Sequence, residues 1–269
     1  MSVVRDAAAV WRVLDDDPIE SCMVAARVAD HGIDPNAIGG ELWTRRGAHE
    51  SLCFAGANLI PLRGGPIDLN AFADVAMSTP RRCSSLVGRA DLVLPMWQRR
   101  TGVGSGAGCP RQPTADGPGY SPQLRYRHRR TPGTARGTGL LPGGRRRHVH
   151  RRSRRRPSAR RRWSRLSSPG GRPLAAGRAW ARFEHGQVIF KAEVGSQSPA
   201  VGQIQGVWVH PEWRGIGLGT AGTATLAAVI VGSGRIASLY VNSFNTVARA
   251  AYARVGFKEI GTFATVLLD

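Results

Sequence analysis

Apolar and polar residues alternate clearly from Arg178 onward. Ala179–Glu184 and Val188–Glu193 do so on either side of His185-Gly186, which predicts an antiparallel hairpin. Gln203–Val209 reads as a third strand, stopped by His210-Pro211. After a glycine-rich turn the period changes. Leu218, Gly222, Leu226, Val229 and Ile230 recur at helical spacing until Gly232 ends the run. Ile236–Val241 is the next strand. Asn245 is placed to cap a helix with Ala248, Ala251, Tyr252 and Val255 on one face, closed by Gly256. Phe257–Ile260 and Phe263–Leu268 are expected to close the unit as two strands. The predicted order is β-β-β-α-β-α-β-β.

The first 98 residues also carry ordered patterns. Val4–Leu14 and Ile19–His31 predict helices, the second supported by Val24, Ala25, Val28 and Ala29. Glu41–Thr44 and Glu50–Phe54 suggest a hairpin, and Ala57–Pro61 a strand. Asp68–Ala76 is expected to be helical, Ser84–Val87 a strand and Asp91–Gln98 a helix. That gives α-α-β-β-β-α-β-α, a second α/β unit.

Between the units both periods fail, and composition explains why. Residues 99–177 hold 14 Gly, 9 Pro and only seven residues among Leu, Val, Ile, Met and Phe. Such a stretch buries too little apolar surface to offset the entropy of ordering, so disorder is expected over 99–177. It also carries the whole net charge of +20: 21 Arg against one acid, Asp116, while the other 190 residues balance 17 basic with 17 acidic side chains. Three readings stay open. The run RRRHVHRRSRRRPSARRRWSR could grip phosphates, making nucleic acid a partner through this segment alone. It could be a solvated linker. Or GC-rich DNA is being read out of frame, with compensating shifts near each end, leaving an inactive variant of an enzyme. Abrupt edges and ordinary flanks favour the last. The six residue types with AT-rich codons (Phe, Tyr, Met, Ile, Asn, Lys) number 31 in the flanks and two in the stretch.

Other classes fall away. No run of about 18 apolar residues exists, which excludes a helical membrane span. The N-terminus meets charge at Arg5 and Asp6 before any signal-peptide core forms. Cys22, Cys53, Cys83 and Cys109 have neither CxxC spacing nor the density of a disulfide scaffold, so a reduced, cytoplasmic setting and no metal site are expected.

The chemistry lies at Arg214-Gly215-Ile216-Gly217-Leu218-Gly219, directly after a strand and opening a helix. Glycines there let backbone N–H groups approach a phosphate, the helix N-terminus attracts negative charge, and Arg214 can add a charged donor. The stretch from Gly217 to Gly222 formally matches GxGxxG. A dinucleotide fold would want an acid at the end of the next strand, where Asn242 stands. A P-loop would need Gly-Lys-Ser/Thr, which does not follow.

The pattern that fits resembles the GNAT superfamily of acyl-CoA N-acyltransferases. Arg214, Gly217 and Gly219 match its Q/R-x-x-G-x-G/A motif, and NSFNTVARAAYARVGF is similar to its second motif. The resemblance covers 178–269 and implies a GNAT fold, a mixed twisted sheet with flanking helices, and acetyl-CoA as acyl donor. It implies that Arg214, Gly215, Gly217, Leu218, Gly219 and Thr220 hold the pyrophosphate, and that Asn245 meets the pantetheine arm. Backbone amides from Val207 to Val209 would bond that arm in a gap between Gln203–Val209 and Ile236–Val241. Tyr252 would lie near the CoA sulfur as general acid. Glu193, Glu212 and His210 are the local candidates for the base, with Glu193 on the second hairpin strand. Trp208 and Trp213 read as packing or cleft lining.

GNAT units begin with a strand and two helices, and residues 99–177 stand in their place here. The N-terminal order resembles half of a GNAT fold and the uncharacterised domain preceding some bacterial acetyltransferases. Its turn, PLRGGPIDLN, lacks R-x-x-G-x-G, and its Pro66 has no N–H, so no CoA site is expected there. The implied activity is acetyl transfer from acetyl-CoA to a primary amine. The rival is an Arg-rich nucleic-acid binder with a GNAT scaffold.

Overall fold

The computed structural model describes residues 1–45, 50–78, 83–100, 120–128, 164–165 and 178–268. The N-terminal unit runs β1 (Ser2–Val3), α1 (Ala7–Asp16), α2 (Cys22–His31), α3 (Pro35–Ile38), β2 (Gly40–Thr44), β3 (Leu52–Gly56), β4 (Asn58–Arg63), α4 (Pro66–Ser78), β5 (Ser85–Arg89) and α5 (Ala90–Arg100). Local chemistry sets the helix starts. The Asp6 side chain accepts from the Ala8 N–H at 2.9 Å to open α1, and Asp34 accepts from Asn36 and Ala37 to open α3. The sequence pattern missed β1 and α3 because both are too short to show a period.

Two strands follow within the central stretch, β6 (Tyr120–His128) and β7 (Ser164–Arg165). Disorder had been expected across all of 99–177. That expectation came from a composition averaged over the whole stretch. Tyr120, Pro122, Leu124 and Tyr126 alternate with Ser121, Gln123, Arg125 and Arg127, a period of two that the average hides. The remaining parts of the stretch, including its longest Arg run, lie outside the described residues.

The C-terminal unit comprises β8 (Ala179–Glu184), β9 (Gln187–Gln197), β10 (Val201–Val209), a 3₁₀ turn at Pro211–Trp213, α6 (Leu218–Gly232), β11 (Ile236–Asn242), α7 (Thr246–Val255) and β12 (Lys258–Leu267). The two closing strands expected after Gly256 are one strand, β12. An irregularity between Glu259 and Gly261 interrupts its pairing without ending it.

All the strands join one sheet in the order β1-β2-β3-β4-β5-β12-β6-β11-β10-β9-β8-β7. Read inward from its two ends, the sheet repeats itself. β1 to β4 pair antiparallel and β4 runs parallel to β5; β7 to β10 pair antiparallel and β10 runs parallel to β11. At the centre the halves exchange partners. β6, which follows α5, lies against β11, whereas β12, which follows α7, lies against β5. β12 and β6 pair with each other. Each half thus completes the other's sheet, and β7 takes the place of the first strand that the C-terminal unit needed.

Side chains seal the seam. Phe263 of β12 is buried in the N-terminal core with Val10, Leu14 and Phe54, and Tyr240 of β11 stacks on it with ring centroids 4.3 Å apart. The start of α2 and the turn before it also reach across. Ile19 and Cys22 bury with Val201 of β10, and the Cys22 thiol points at the Val201 carbonyl, 3.8 Å away. Burial pushes this thiol up to about 11. A separate core around Phe190, Ile204, Leu226, Leu239 and Tyr252 holds α6 and α7 on their face of the C-terminal strands.

β10 and β11 hydrogen-bond only from Val201–Ile204 against Ile236–Leu239. Beyond that point they part. On its other edge β10 slips against β9 between Gln205 and Trp208. Gly206, at φ +63, sits inside this bulge. The split and the bulge together create the site.

Candidate active site

Helix α6 begins at a backbone turn that no side chain caps. Gly217, the N-cap, is left-handed at φ 84 and has no side chain with which to cap the first-turn N–H groups. A Cβ at Gly215 or Gly217 would meet nothing within 4 Å, so the turn is open. The N–H groups of Leu218, Gly219 and Thr220 are therefore available to an anion, with the helix dipole behind them. Arg214 Nε donates to the Val209 carbonyl at 3.1 Å, which ties the guanidinium to the end of β10.

A cavity of about 580 Å³ opens from this turn between β10, α6 and α7. Its lining includes Val207, Val209, Arg214, Gly215, Gly217, Leu218, Gly219, Thr220, Asn245 and Tyr252, residues expected from sequence to face the donor. Trp208 and Trp213 line it too. A second cavity of about 270 Å³ lies in the split between β10 and β11, lined by Gln205, Gly206, Tyr240 and Asn242 among others. Val207, Asn245 and Tyr252 line both cavities, so the two adjoin at these residues, the throat of the site.

Each throat residue is held from outside. Asn245 Oδ1 accepts from the Ala248 N–H at 3.1 Å to cap α7, leaving its amide nitrogen as the group it can present to a ligand. Tyr252 is only 8% exposed, packed edge-on to Phe257, and burial raises its phenol above the ordinary value. It stays protonated at neutral pH. Val207 belongs to the bulge, where its backbone is out of register with β9.

The three base candidates separate. Glu212 is exposed in the 3₁₀ turn. His210 stands edge-on to Trp208, with ring centroids 5.8 Å apart. Glu193 lines neither cavity directly, yet its carboxylate accepts from Gln205 Nε2 at 3.0 Å, and Gln205 lines the second cavity. Sequence reasoning missed Gln205, Gly206, Tyr240 and Asn242, and Arg254, Thr223 and Ala251 of the first cavity. A lone glycine inside a strand pattern, Gly206, was the one available signal of a bulge.

The N-terminal half has a turn at the equivalent place, β4 into α4, and it is closed. Asp68, in the first turn of α4, accepts from the Gly65 N–H at 3.0 Å through one oxygen and pairs with Arg45 at 2.5 Å through the other. The carboxylate already occupies the Gly65 N–H at this turn, and Pro66 removes a further N–H.

Known proteins agree with this architecture. Residues 192–266 match the family model of FR47-like proteins, and residues 40–115 match that of a domain of unknown function, DUF4081. An acetyltransferase from the GNAT family of Colwellia psychrerythraea superposes with a TM-score of 0.51 at 10% identity, covering 100% of this chain and 99% of its own. A Drosophila protein superposes with a TM-score of 0.60 at 11% identity, covering 98% of this chain and 97% of its own. No curated protein matches the sequence. The doubled fold and the open helix turn define a tandem GNAT-like protein. The FR47-like match at residues 192–266 lies within the C-terminal unit, and the fold as a whole is similar to that of the GNAT-family acetyltransferase from Colwellia. Among the described residues, no helix is long and apolar enough to cross a membrane.

Proposed function

We propose that the chain is an N-acetyltransferase that moves an acetyl group from acetyl-CoA to a primary amine. The observation that carries this reading is the throat: Val207, Asn245 and Tyr252 connect a cavity with an uncapped helix N-terminus to a second cavity in the strand split. Donor and acceptor can then meet from opposite ends. In this reading the Leu218, Gly219 and Thr220 N–H groups and Arg214 hold the pyrophosphate, and the acyl arm follows the free edge of β10 past Val209. An N–H of the bulge at Val207 to Val209 polarises the thioester carbonyl.

The amine arrives as an ammonium, with an ordinary pKa of roughly 8 to 10, and must lose a proton to attack. Glu193 takes that proton. The amine nitrogen bonds to the carbonyl carbon, the C–S bond breaks, Tyr252 gives its phenolic proton to the departing thiolate, and the second proton, still on the new amide nitrogen, returns to the Tyr252 phenolate. The half containing DUF4081 builds the sheet and completes the acceptor side through the Tyr240–Phe263 seam. The setting is the cytoplasm, with the cysteines reduced.

Two measurements test the proposal on the purified full chain. Acetyl-CoA raises the melting temperature by mass action, and a panel of primary amines releases free CoA thiol. A folded chain that shows neither overturns the reading. Tyr252→Phe is expected to lower kcat by about 100-fold with acetyl-CoA affinity unchanged; full turnover in that variant removes Tyr252 as the acid.

A further inference from the structure

We propose that Gln205 is a positioning residue. It holds the Glu193 carboxylate at the acceptor end of the throat, in a slot that Gly195 and Gly206 keep open. The inference rests on the acetyltransferase reading with Glu193 as base, and it assigns the slot the ammonium form of the acceptor as its ligand.

Glu193 and Gln205 lie directly opposite each other on β9 and β10. The Gln205 amide donates to Glu193 Oε1 at 3.0 Å, which leaves Oε2 to receive a proton. Both flanking glycines leave room for this pair. A Cβ at Gly195 would lie 1.9 Å from the Gln205 side chain, so no other residue there is compatible with the observed amide. At Gly206 a Cβ would come within 3.3 Å of Glu193 Oε1, at a backbone angle that itself favours glycine. Glycine weakens a strand. Here two flank a single exposed hydrogen bond, a contact of small structural value. Their placement is better explained by what the pair does.

The bulge after Gln205 completes the device. It brings Gln205, Gly206 and Val207 to the wall of the second cavity, which Tyr252 also lines, so the carboxylate held by Gln205 lies just behind that wall. Among the described residues, the rest of that wall, including Asn242 and Tyr240, contains no basic side chain. A neutral amide orients a carboxylate without cancelling its charge, as an arginine or lysine would. The wall and the carboxylate therefore suit an ammonium that binds first and then gives up its proton. Around Glu193, β8 contributes uncharged Ala179 directly opposite and β10 contributes Gln205. The charged neighbour on its own strand face is Lys191.

The test uses the full chain, acetyl-CoA and whichever amine of the panel turns over fastest. Gln205→Ala is expected to lower kcat/KM for the amine about tenfold, with the KM and thermal shift for acetyl-CoA unchanged. The deficit should shrink above roughly pH 9, where the amine begins to lose its proton unaided. Gly195→Val, which displaces the amide without removing it, should reproduce the Gln205→Ala profile. If that variant does not fold, Gln205→Ala and Gln205→Glu carry the test, the second losing more because two acids then face each other. A Gln205→Ala deficit that is equal at all pH values overturns the inference. So does unchanged amine kcat/KM in Gln205→Ala while Glu193→Gln falls. Full activity in Glu193→Gln overturns the base assignment on which it rests.

Discussion

The two strand-to-helix turns of this molecule occupy the same place in its two halves and have opposite character. At β10–α6 the helix begins with a left-handed glycine, free N–H groups and an arginine at the wall of a large cavity. At β4–α4 the helix begins with proline, and the Asp68 carboxylate, paired with Arg45, already accepts from the Gly65 N–H. Fold position alone therefore makes no binding site. A helix N-terminus becomes one only when the chain supplies no anion of its own.

The strongest way to break the contrast is to transplant the closure. Thr220 is the third residue of α6, as Asp68 is the third of α4. Thr220→Asp should let a carboxylate cap the α6 turn and repel the pyrophosphate. The expected loss of acetyl-CoA affinity is on the order of 10³-fold, since about two charge-assisted hydrogen bonds disappear. Titration calorimetry reads this directly, and wild-type affinity in the variant would sink the pyrophosphate assignment. Next comes Arg214→Ala, with about tenfold weaker acetyl-CoA binding, the value of one exposed charged donor. No change there would confine phosphate binding to the backbone.

The reverse exchange sharpens the comparison from the other side. Asp68→Thr should cost about 1 kcal/mol of stability in urea melts, because the Gly65 cap and the Arg45 pair are lost. It should create no acetyl-CoA binding, since Pro66 still withholds an N–H. The smallest effect concerns Tyr252. Its folded pKa lies above the unfolded value of about 10, so its contribution is fully present below pH ~10 and is lost as pH rises through the folded value. Melting temperature should fall over that alkaline range, and Tyr252→Phe should flatten the fall. An identical fall in the variant would assign it to other groups.

Much of this was legible beforehand. The α6 turn, the Asn245 cap and the Tyr252 face are local patterns, set by residues within a few positions of one another, and the structure gathers them along one cavity. The closed turn was legible in part. Pro66 announces the missing donor, but the Arg45–Asp68 pair joins residues 23 apart. The strand β6 was hidden by its surroundings, because a stretch rich in Arg, Gly and Pro was weighed as a whole.

Sequence by itself determined most of the longer helices and strands of the two flanking units and singled out one glycine-rich turn as a candidate phosphate site. Backbone angles, capping and side-chain period are short-range properties, written into neighbouring residues. Tertiary structure alone decided that β6 and β12 trade places between the halves, that β10 and β11 part after Ile204, and that Gln205 grips Glu193. Strand partners are chosen by packing and by hydrogen bonds between distant segments, and no local period specifies which edge a strand will join.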